Sequence, residues 1–369
     1  MNKTELFDIA NKFEIDGTPI EVEECKNGHI NKTYEITYAL ENGIKKRYIL
    51  QYVNSEIFGE LEKLNNNIVE VTDYIRKKAV NTDLDRVTIK MVKTKNNQYI
   101  YDYNWRMQKF IENTKTFLST DEIKILYEAG KAIGRFQKYL DGFEAEKLYE
   151  VIPNFHYTKG RLKDLKSSIN SEENLNLRKE RFDTSKETIE FALAENRINR
   201  VTEITDKLKN KTIPYRVTHN DTKLSNILFD KNTNEAVCLI DLDTVMPGAL
   251  AYDFGEGLRA TISKSKEDEE DLSKIKLELD RFEAFTKGFL KEMKETITKE
   301  ELNILVTGLW MMTYENGIRF LADYLNGDTY FNVDKKEHNL IRAKAQFELL
   351  KQIELNENEM KEVVKKYGL

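Results

Sequence analysis

Between Val217 and Asp243 the chain reads VTHNDTKLSNILFDKNTNEAVCLIDLD. His219, Asp221 and Asn226 stand there in the spacing His-x-Asp-x-x-x-x-Asn. Two apolar pieces follow, Ile227 to Phe229 and Ala236 to Ile240, joined by the turn-forming run Asp230-Lys231-Asn232-Thr233-Asn234. The second piece delivers Asp241 at its end. An antiparallel hairpin brings its two ends together, so Asn226 and Asp241 are expected to share one cation, with Asp221 a few residues outside. An amide oxygen and a carboxylate are hard ligands, suited to Mg²⁺ held jointly with phosphates. Asp221 is placed to accept a proton from a substrate hydroxyl. The spacing alone recurs by chance. Joined to a hairpin and a strand-terminal Asp it becomes specific, because a core histidine, a turn Asn and a helix-capping Asp would otherwise have to coincide.

Such a site needs a scaffold. The first third is strand-like: Thr33 to Tyr38 alternates, Arg47 to Val53 is β-branched and aromatic, and Arg86 to Val92 and Tyr99 to Phe110 follow after Asn- and Lys-rich turns. Between them, Glu60 to Lys78 carries Leu61, Leu64, Ile68, Val71 and Ile75 at helical spacing, the stripe of one helix against a sheet. From Thr120, read as an N-cap, the pattern turns helical over Asp121 to Leu140. The charged stretch from Arg161 to Asn210 reads as solvated helices. Helical spacing returns from Leu272, after the strand-like interruption at Ile213 to Asp243. This order predicts an α+β chain in two lobes. It argues against a doubly wound sheet, in which strands and helices alternate throughout.

Composition narrows the class. Of 369 residues 40% are hydrophobic and 10% aromatic, enough for a sizeable core, and 33% are charged against a usual ~25%. With 58 Lys and Arg against 64 Asp and Glu the net charge is −6, so no nucleic-acid partner is expected. No apolar run approaches the ~20 residues of a membrane span, and Glu5, Asp8 and Glu14 leave no apolar signal core near the start. Cys25 and Cys238 lack partners at metal-ligand spacing, which argues against a disulfide framework and for the cytoplasm. A monomer is expected.

The Val217 to Asp243 segment resembles the aminoglycoside phosphotransferase and choline kinase superfamily, whose fold is protein-kinase-like. Three further stretches are narrower: Ile240-Asp241-Leu242-Asp243-Thr244-Val245-Met246-Pro247-Gly248 continued by Tyr252-Asp253-Phe254-Gly255, Asn27-Gly28-His29-Ile30-Asn31, and Glu315 to Phe331. Together they are similar to the N-acetylhexosamine 1-kinase family over most of the chain, most weakly between Arg161 and Asn210. The resemblance implies an antiparallel nucleotide-binding lobe over 1–110, a hinge at about 107–113, and a mostly helical catalytic and sugar-binding lobe over 111–369. It implies ATP and Mg²⁺ as cofactors and phosphorylation of the C1 hydroxyl of an N-acetylhexosamine, GlcNAc or GalNAc. Carried over by position, it makes Asp221 the base or orienter and gives Mg²⁺ to Asn226 and Asp241. Gly28 and its neighbours become a phosphate-facing turn, and Met107 to Ile111, with Lys109, Phe110 and Ile111, the hinge against adenine. His29, Arg319 and Tyr330 line the sugar pocket, with Lys223 beside it.

Two departures bear on this expectation. The Asn27-Gly28-His29 turn is not a full G-x-G-x-x-G. Gln51, in Ile49-Leu50-Gln51-Tyr52, stands where a phosphate-pairing Lys is usual, and Lys223 is a candidate to compensate. Asp253 is expected to brace the catalytic loop, while Asp243 either assists the metal or orders the loop. Glu315, Arg319 and Asp323 are spaced i, i+4, i+8 and read equally well as a surface ion-pair ladder; Trp105 and Trp310 read as core. A kinase of choline, homoserine or an aminoglycoside is the nearest alternative, although cationic acceptors favour acidic, aromatic pockets and Arg319 opposes them. A silent kinase-like binding protein leaves Asp221, Asn226 and Asp241 without purpose. A hydrolase with paired carboxylates explains neither Asn226 nor the hairpin.

Overall fold

The computed structural model describes residues 1–25, 30–80, 82–170 and 175–368; the Asn27-Gly28-His29 turn lies outside the described residues. Helix α1 (Lys3–Ala10) is opened by a capping box between Asn2 and Glu5. A five-stranded antiparallel sheet follows in the order β1-β2-β3-β5-β4. Its members are β1 (Thr18–Glu24), β2 (Lys32–Ala39) and β3 (Lys45–Tyr52), then, after α2 (Ser55–Phe58) and α3 (Leu61–Lys78), β4 (Met91–Val92) and β5 (Trp105–Lys109). Two expected strands are shorter than their composition suggests. The Asp83 carbonyl takes the N–H of both Arg86 and Val87, which keeps that chain in a turn until Met91. Asp102 and Tyr103 adopt left-handed backbone (φ 47° and 65°), folding Tyr101 back onto Trp105.

Alternation gives the sheet two faces. Tyr34, Ile36, Tyr38, Tyr48, Leu50, Trp105 and Met107 form one apolar face, closed by Leu6, Ala10 and Phe13 from α1 and the turn after it. On the other, the register sets Thr33, Gln51 and Arg106 side by side across β2, β3 and β5. The stripe of α3 is buried in the core of the larger lobe. There Asn67 exchanges hydrogen bonds with the Tyr149 backbone (2.7 and 2.9 Å) and donates to the Val245 carbonyl at 3.1 Å.

After Lys109 the chain leaves the sheet and enters β6 (Thr114–Lys115), which pairs with the hairpin of the larger lobe. That lobe is built from α4 (Ile123–Tyr139), α5 (Thr158–Asn170), α6 (Leu175–Ala192), α7 (Glu195–Ile198), α8 (Glu203–Lys209), β7 (Arg216–Thr218), β8 (Ile227–Asp230), β9 (Ala236–Leu239) and β10 (Met246–Gly248). It ends with α9 (Leu250–Arg259), α10 (Leu279–Met293), α11 (Lys299–Asn303), α12 (Leu305–Leu325), α13 (His338–Leu355) and α14 (Glu357–Gly368). Thr120 accepts the Glu122 N–H at 3.1 Å, so its hydroxyl orders the lead-in and α4 starts later than expected. The charged stretch is less solvated than its composition implies: Leu165, Ser185 and Ala192 are buried, and Arg197 forms a two-pronged ion pair with Glu354 of α13 (3.0 and 2.6 Å). Among the described residues no helix is long and apolar enough to cross a membrane.

Helices α9 and α12 meet backbone to backbone. A Cβ on Gly255 would lie 2.4 Å from the Gly308 carbonyl, and one on Gly308 would lie 2.0 Å from the Ala251 oxygen. Gly308→Ala is therefore expected to force the helices apart and lower stability by about 1–3 kcal/mol. Chemical unfolding measures this, and an unchanged midpoint would show that the contact yields freely.

Candidate active site

The hairpin closes as its sequence suggests. Asp230 Oδ1 accepts the N–H of Asn232 (2.9 Å) and Thr233 (3.0 Å), and Ile227 pairs with Leu239 at the open end. One step further the Ile240 N–H donates to the Asn226 carbonyl at 2.9 Å, which brings Asn226 beside the start of the Asp241 turn. Asp241 is left-handed (φ 64°, ψ 56°), a conformation that Asp tolerates better than most side chains.

The loop before the hairpin hangs on one buried carboxylate. Asp253, in the first turn of α9, accepts the N–H of His219 (2.9 Å) and Asn220 (2.8 Å) and the Gln137 amide (2.7 Å). Its carbonyl takes the Thr222 hydroxyl at 2.7 Å. His219 is wholly buried. Its Nε2 faces the Ile240 carbonyl (2.9 Å), which can only accept, and its Nδ1 faces the Asp221 N–H (3.2 Å), which can only donate. The ring is therefore neutral, with its proton on Nε2. His219 is a buried strut between the loop and the hairpin.

Asp221 is half-buried, its side chain 30% exposed. Oδ2 accepts from Lys223 Nζ at 2.7 Å and from Asn226 Nδ2 at 2.8 Å. Oδ1 has no partner among the described residues. Burial alone would lower the Lys223 pKa, but Asp221, Asp241 and Glu256 raise it above its ordinary value. The Asn226 amide nitrogen also donates to the Asp221 carbonyl (2.9 Å), so its oxygen is left over. Asp241 accepts no hydrogen bond and forms no ion pair among the described residues. Its rim meets solvent while protein crowds it from behind. That desolvation, then the Asp243 and Asp221 carboxylates, push its pKa up to about 6 against the pull of Lys223. Among the described residues no three His, Cys, Asp or Glu side chains could hold a metal by themselves. The Asn226 and Asp241 oxygens do suit a hard cation whose remaining ligands are phosphates and water.

On the facing sheet, Gln51 has a cation next to it, and that cation is Arg106 rather than Lys223. Arg106 is 3% exposed. Its Nε and Nη2 reach Gln51 Oε1 at 3.0 and 2.8 Å, and its Nη1 reaches Asp243 Oδ1 at 2.5 Å. Asp243 Oδ2 accepts from Asn31 at 2.7 Å. Asp243 is thus engaged by the sheet. Of the expected hinge, Met107 and Ile111 are buried and Phe110 lies under Arg47, 3.8 Å from its ring centre. Lys109 points to Asp85 at 3.4 Å. The Ile111 N–H has no acceptor among the described residues. Gly28 and His29 lie outside the described residues.

The ladder on α12 is not a surface ladder. Glu315 is buried and bonded to His156 (2.9 Å) and Thr158 (2.6 Å). Burial would raise its pKa, but His156, then Arg319 and the Thr158 hydroxyl, hold it below its ordinary value. Asp323, also buried, accepts the N–H of Thr329, Tyr330 and Phe331 at 2.8–3.0 Å and the Asn339 amide at 2.9 Å. Arg319 makes no hydrogen bond or ion pair among the described residues; its guanidinium lies 5.5–5.9 Å from the rings of Phe155, Tyr330 and Phe331. Tyr330 itself is 70% exposed. Phe155 and His156 also line a cavity of about 310 Å³ that reaches Asn220.

A model of the phosphotransferase enzyme family matches residues 21–281. The chain belongs to that family. Its fold is similar to that of a spectinomycin phosphotransferase solved with ADP and spectinomycin, at 12% identity over 96% of this chain and 99% of that one, with a TM-score of 0.60. A choline kinase from Cryptosporidium parvum gives 0.56 at 11% identity, covering 99% of both chains. An ethanolamine kinase from Plasmodium vivax gives 0.55 at 15%, covering 88% of this chain and 82% of that one. At these identities the likeness is one of fold: an antiparallel N-terminal sheet followed by a helical lobe, as in kinases. Of the residues bonded to the predicted site residues, Arg106 and His156 were missed by sequence reasoning, while Asn31 was singled out only as part of the Asn27 to Asn31 stretch. Arg106 left one signal, a charge between apolar Trp105 and Met107, but only the strand register reveals its partner.

The raised Asp241 carboxyl has a stability consequence. Its pKa is 3.8 ordinarily and about 6 in the fold, so the folded state binds more protons in that window and loses stability as pH rises through it. Asp241→Asn is expected to melt above the parent at pH 7.5, with the gap closing as pH falls from about 6 towards 4. A pH-independent gap would instead reflect only the tolerance of Asn for left-handed backbone.

Proposed function

We propose that this phosphotransferase uses ATP and Mg²⁺ to phosphorylate the C1 hydroxyl of an N-acetylhexosamine. The nucleotide half of the reading divides the chain into a nucleotide lobe at 1–110 and a catalytic lobe at 111–369. Gly28, Gln51, Lys109, Phe110 and Ile111 are its proposed nucleotide-binding residues, the unsatisfied Ile111 N–H being a donor suited to a purine edge. The ADP held by the structurally similar spectinomycin phosphotransferase supports a nucleotide donor here. Asn226 and Asp241 would hold Mg²⁺, which when bound neutralises charge on the phosphates.

Asp221 Oδ1 is the acceptor for the substrate proton, because Oδ2 is already taken by Lys223 and Asn226. The sugar oxygen attacks the γ-phosphorus, its proton passes to Asp221, and ADP leaves. An anomeric hydroxyl is more acidic than an ordinary alcohol, so a carboxylate base is adequate. Little covalent work is asked of the chain; orientation and charge carry the rate.

The observation that carries the acceptor class is the state of α12. Glu315 and Asp323 are buried and spent on protein donors, while Arg319 keeps its fork of N–H groups among aromatic faces. A cationic acceptor needs open carboxylates, and on α12 it meets a guanidinium instead. A neutral sugar meets donors for its hydroxyls or acetamide carbonyl and flat apolar surfaces for its ring. His29, Lys223 and Tyr330 complete the proposed acceptor side.

The test is ADP release across N-acetylhexosamines, hexoses, choline, ethanolamine and homoserine, with product NMR. Phosphorus coupling to the anomeric proton is expected; turnover of choline or ethanolamine alone, or coupling at C6, would overturn the reading. Asp221→Asn should lower kcat by roughly 10²–10⁴-fold while nucleotide still binds. Arg319→Ala should raise the sugar KM about 10–150-fold with little change in the ATP KM.

A further inference from the structure

We propose that Arg106 is a positioning residue of the nucleotide site, supplying through the Gln51 amide the positive field that a lysine on β3 would otherwise carry. This rests on the reading of the cleft as a nucleotide site. Thr33, Gln51 and Arg106 form one cross-strand row on the face opposite the apolar core. Arg106 donates twice to Gln51 Oε1, at 3.0 and 2.8 Å. A guanidinium has no acceptor, so the amide oxygen must face it and the amide NH₂ must turn away. One of those hydrogens reaches Thr33 Oγ1 at 3.2 Å; the other has no acceptor among the described residues. Gln51 therefore offers the cleft a donor rather than an acceptor, polarised by a buried positive charge behind it.

The third nitrogen fixes the other side of the cleft. Arg106 Nη1 lies 2.5 Å from Asp243 Oδ1, both side chains no more than 4% exposed. Asp243 stands two residues after Asp241, and its second oxygen is held by Asn31 (2.7 Å), whose own amide oxygen caps the Asn54 N–H (3.0 Å). One guanidinium thus sets a donor on the sheet and the loop that carries Asp241. A lysine on β3 would do neither without losing its contact with phosphate.

Gln51→Glu tests this without removing the buried charge, because the new carboxylate keeps the Arg106 fork while its outward group becomes an acceptor. Calorimetry on the full chain is expected to show MgATP affinity down by roughly 10–100-fold, with adenosine affinity and melting temperature close to the parent. Arg106→Gln with Gln51→Lys moves the charge to β3 and should regain most of the MgATP affinity lost in Arg106→Gln alone. Gln51→Glu with parental MgATP affinity overturns the role of Arg106, as does equal loss of MgATP and adenosine, which marks a merely structural part. A parent that binds adenosine and MgATP equally weakly overturns the nucleotide reading itself, and this proposal with it.

Discussion

The Asp253 carboxylate is the contact on which the catalytic geometry hangs. It has no solvent access, yet it takes the two consecutive N–H groups of His219 and Asn220 and so fixes the backbone that leads into Asp221. An unmade bond there would leave buried peptide groups without partners, which costs more than the bonds contribute when made. The carboxylate is itself fixed by α9, whose glycine contact with α12 admits no side chain. A packing constraint on two helices thus becomes a positional constraint on an accessible carboxylate.

Charge balance across the cleft depends on this rigidity. Asp221 and Asp243 stand close enough to Asp241 to raise its pKa, and among the described residues two cations, Lys223 and Arg106, are paired with this cluster. Lys223 answers Asp221, and Arg106 answers Asp243. Asp241 has no such partner and is the carboxylate pushed up to about 6. That the unbalanced carboxylate ends the hairpin beside a spare amide oxygen is an electrostatic argument for an external cation at that point. It is independent of any motif.

Local patterns were the legible part of the sequence. The hairpin could be read because turn formers, alternation and length all act within fifteen or so residues, and α3 because its stripe repeats at helical spacing. The bracing role of Asp253 was likewise legible through family resemblance. What composition could not give was partnership. Glu315 and Asp323 look like rungs of an exposed ladder until the 329–331 loop and the start of α5 cover them. Strand length at β4 and β5 was overestimated because left-handed Asp102 and Tyr103 and the Asp83 turn end the pairing locally. Arg106 needed the register of three strands at once.

The position of α3 links these levels. Its apolar stripe belongs to the large core, while its Asn67 holds the Val245 carbonyl just past Asp243 and its Asn65 lies 3.5 Å from Arg106. A sheet attached only through the 110–113 crossing could tilt freely over the hairpin. A helix buried in one lobe and bonded beside the other's cation restricts that tilt to motions that keep Gln51 and Asp241 facing one another. Buried polar contacts are poor sources of net stability but strong sources of geometric specificity when every member is satisfied. In this chain the polar row between the lobes defines register, and the apolar cores on either side supply the stability that lets it do so.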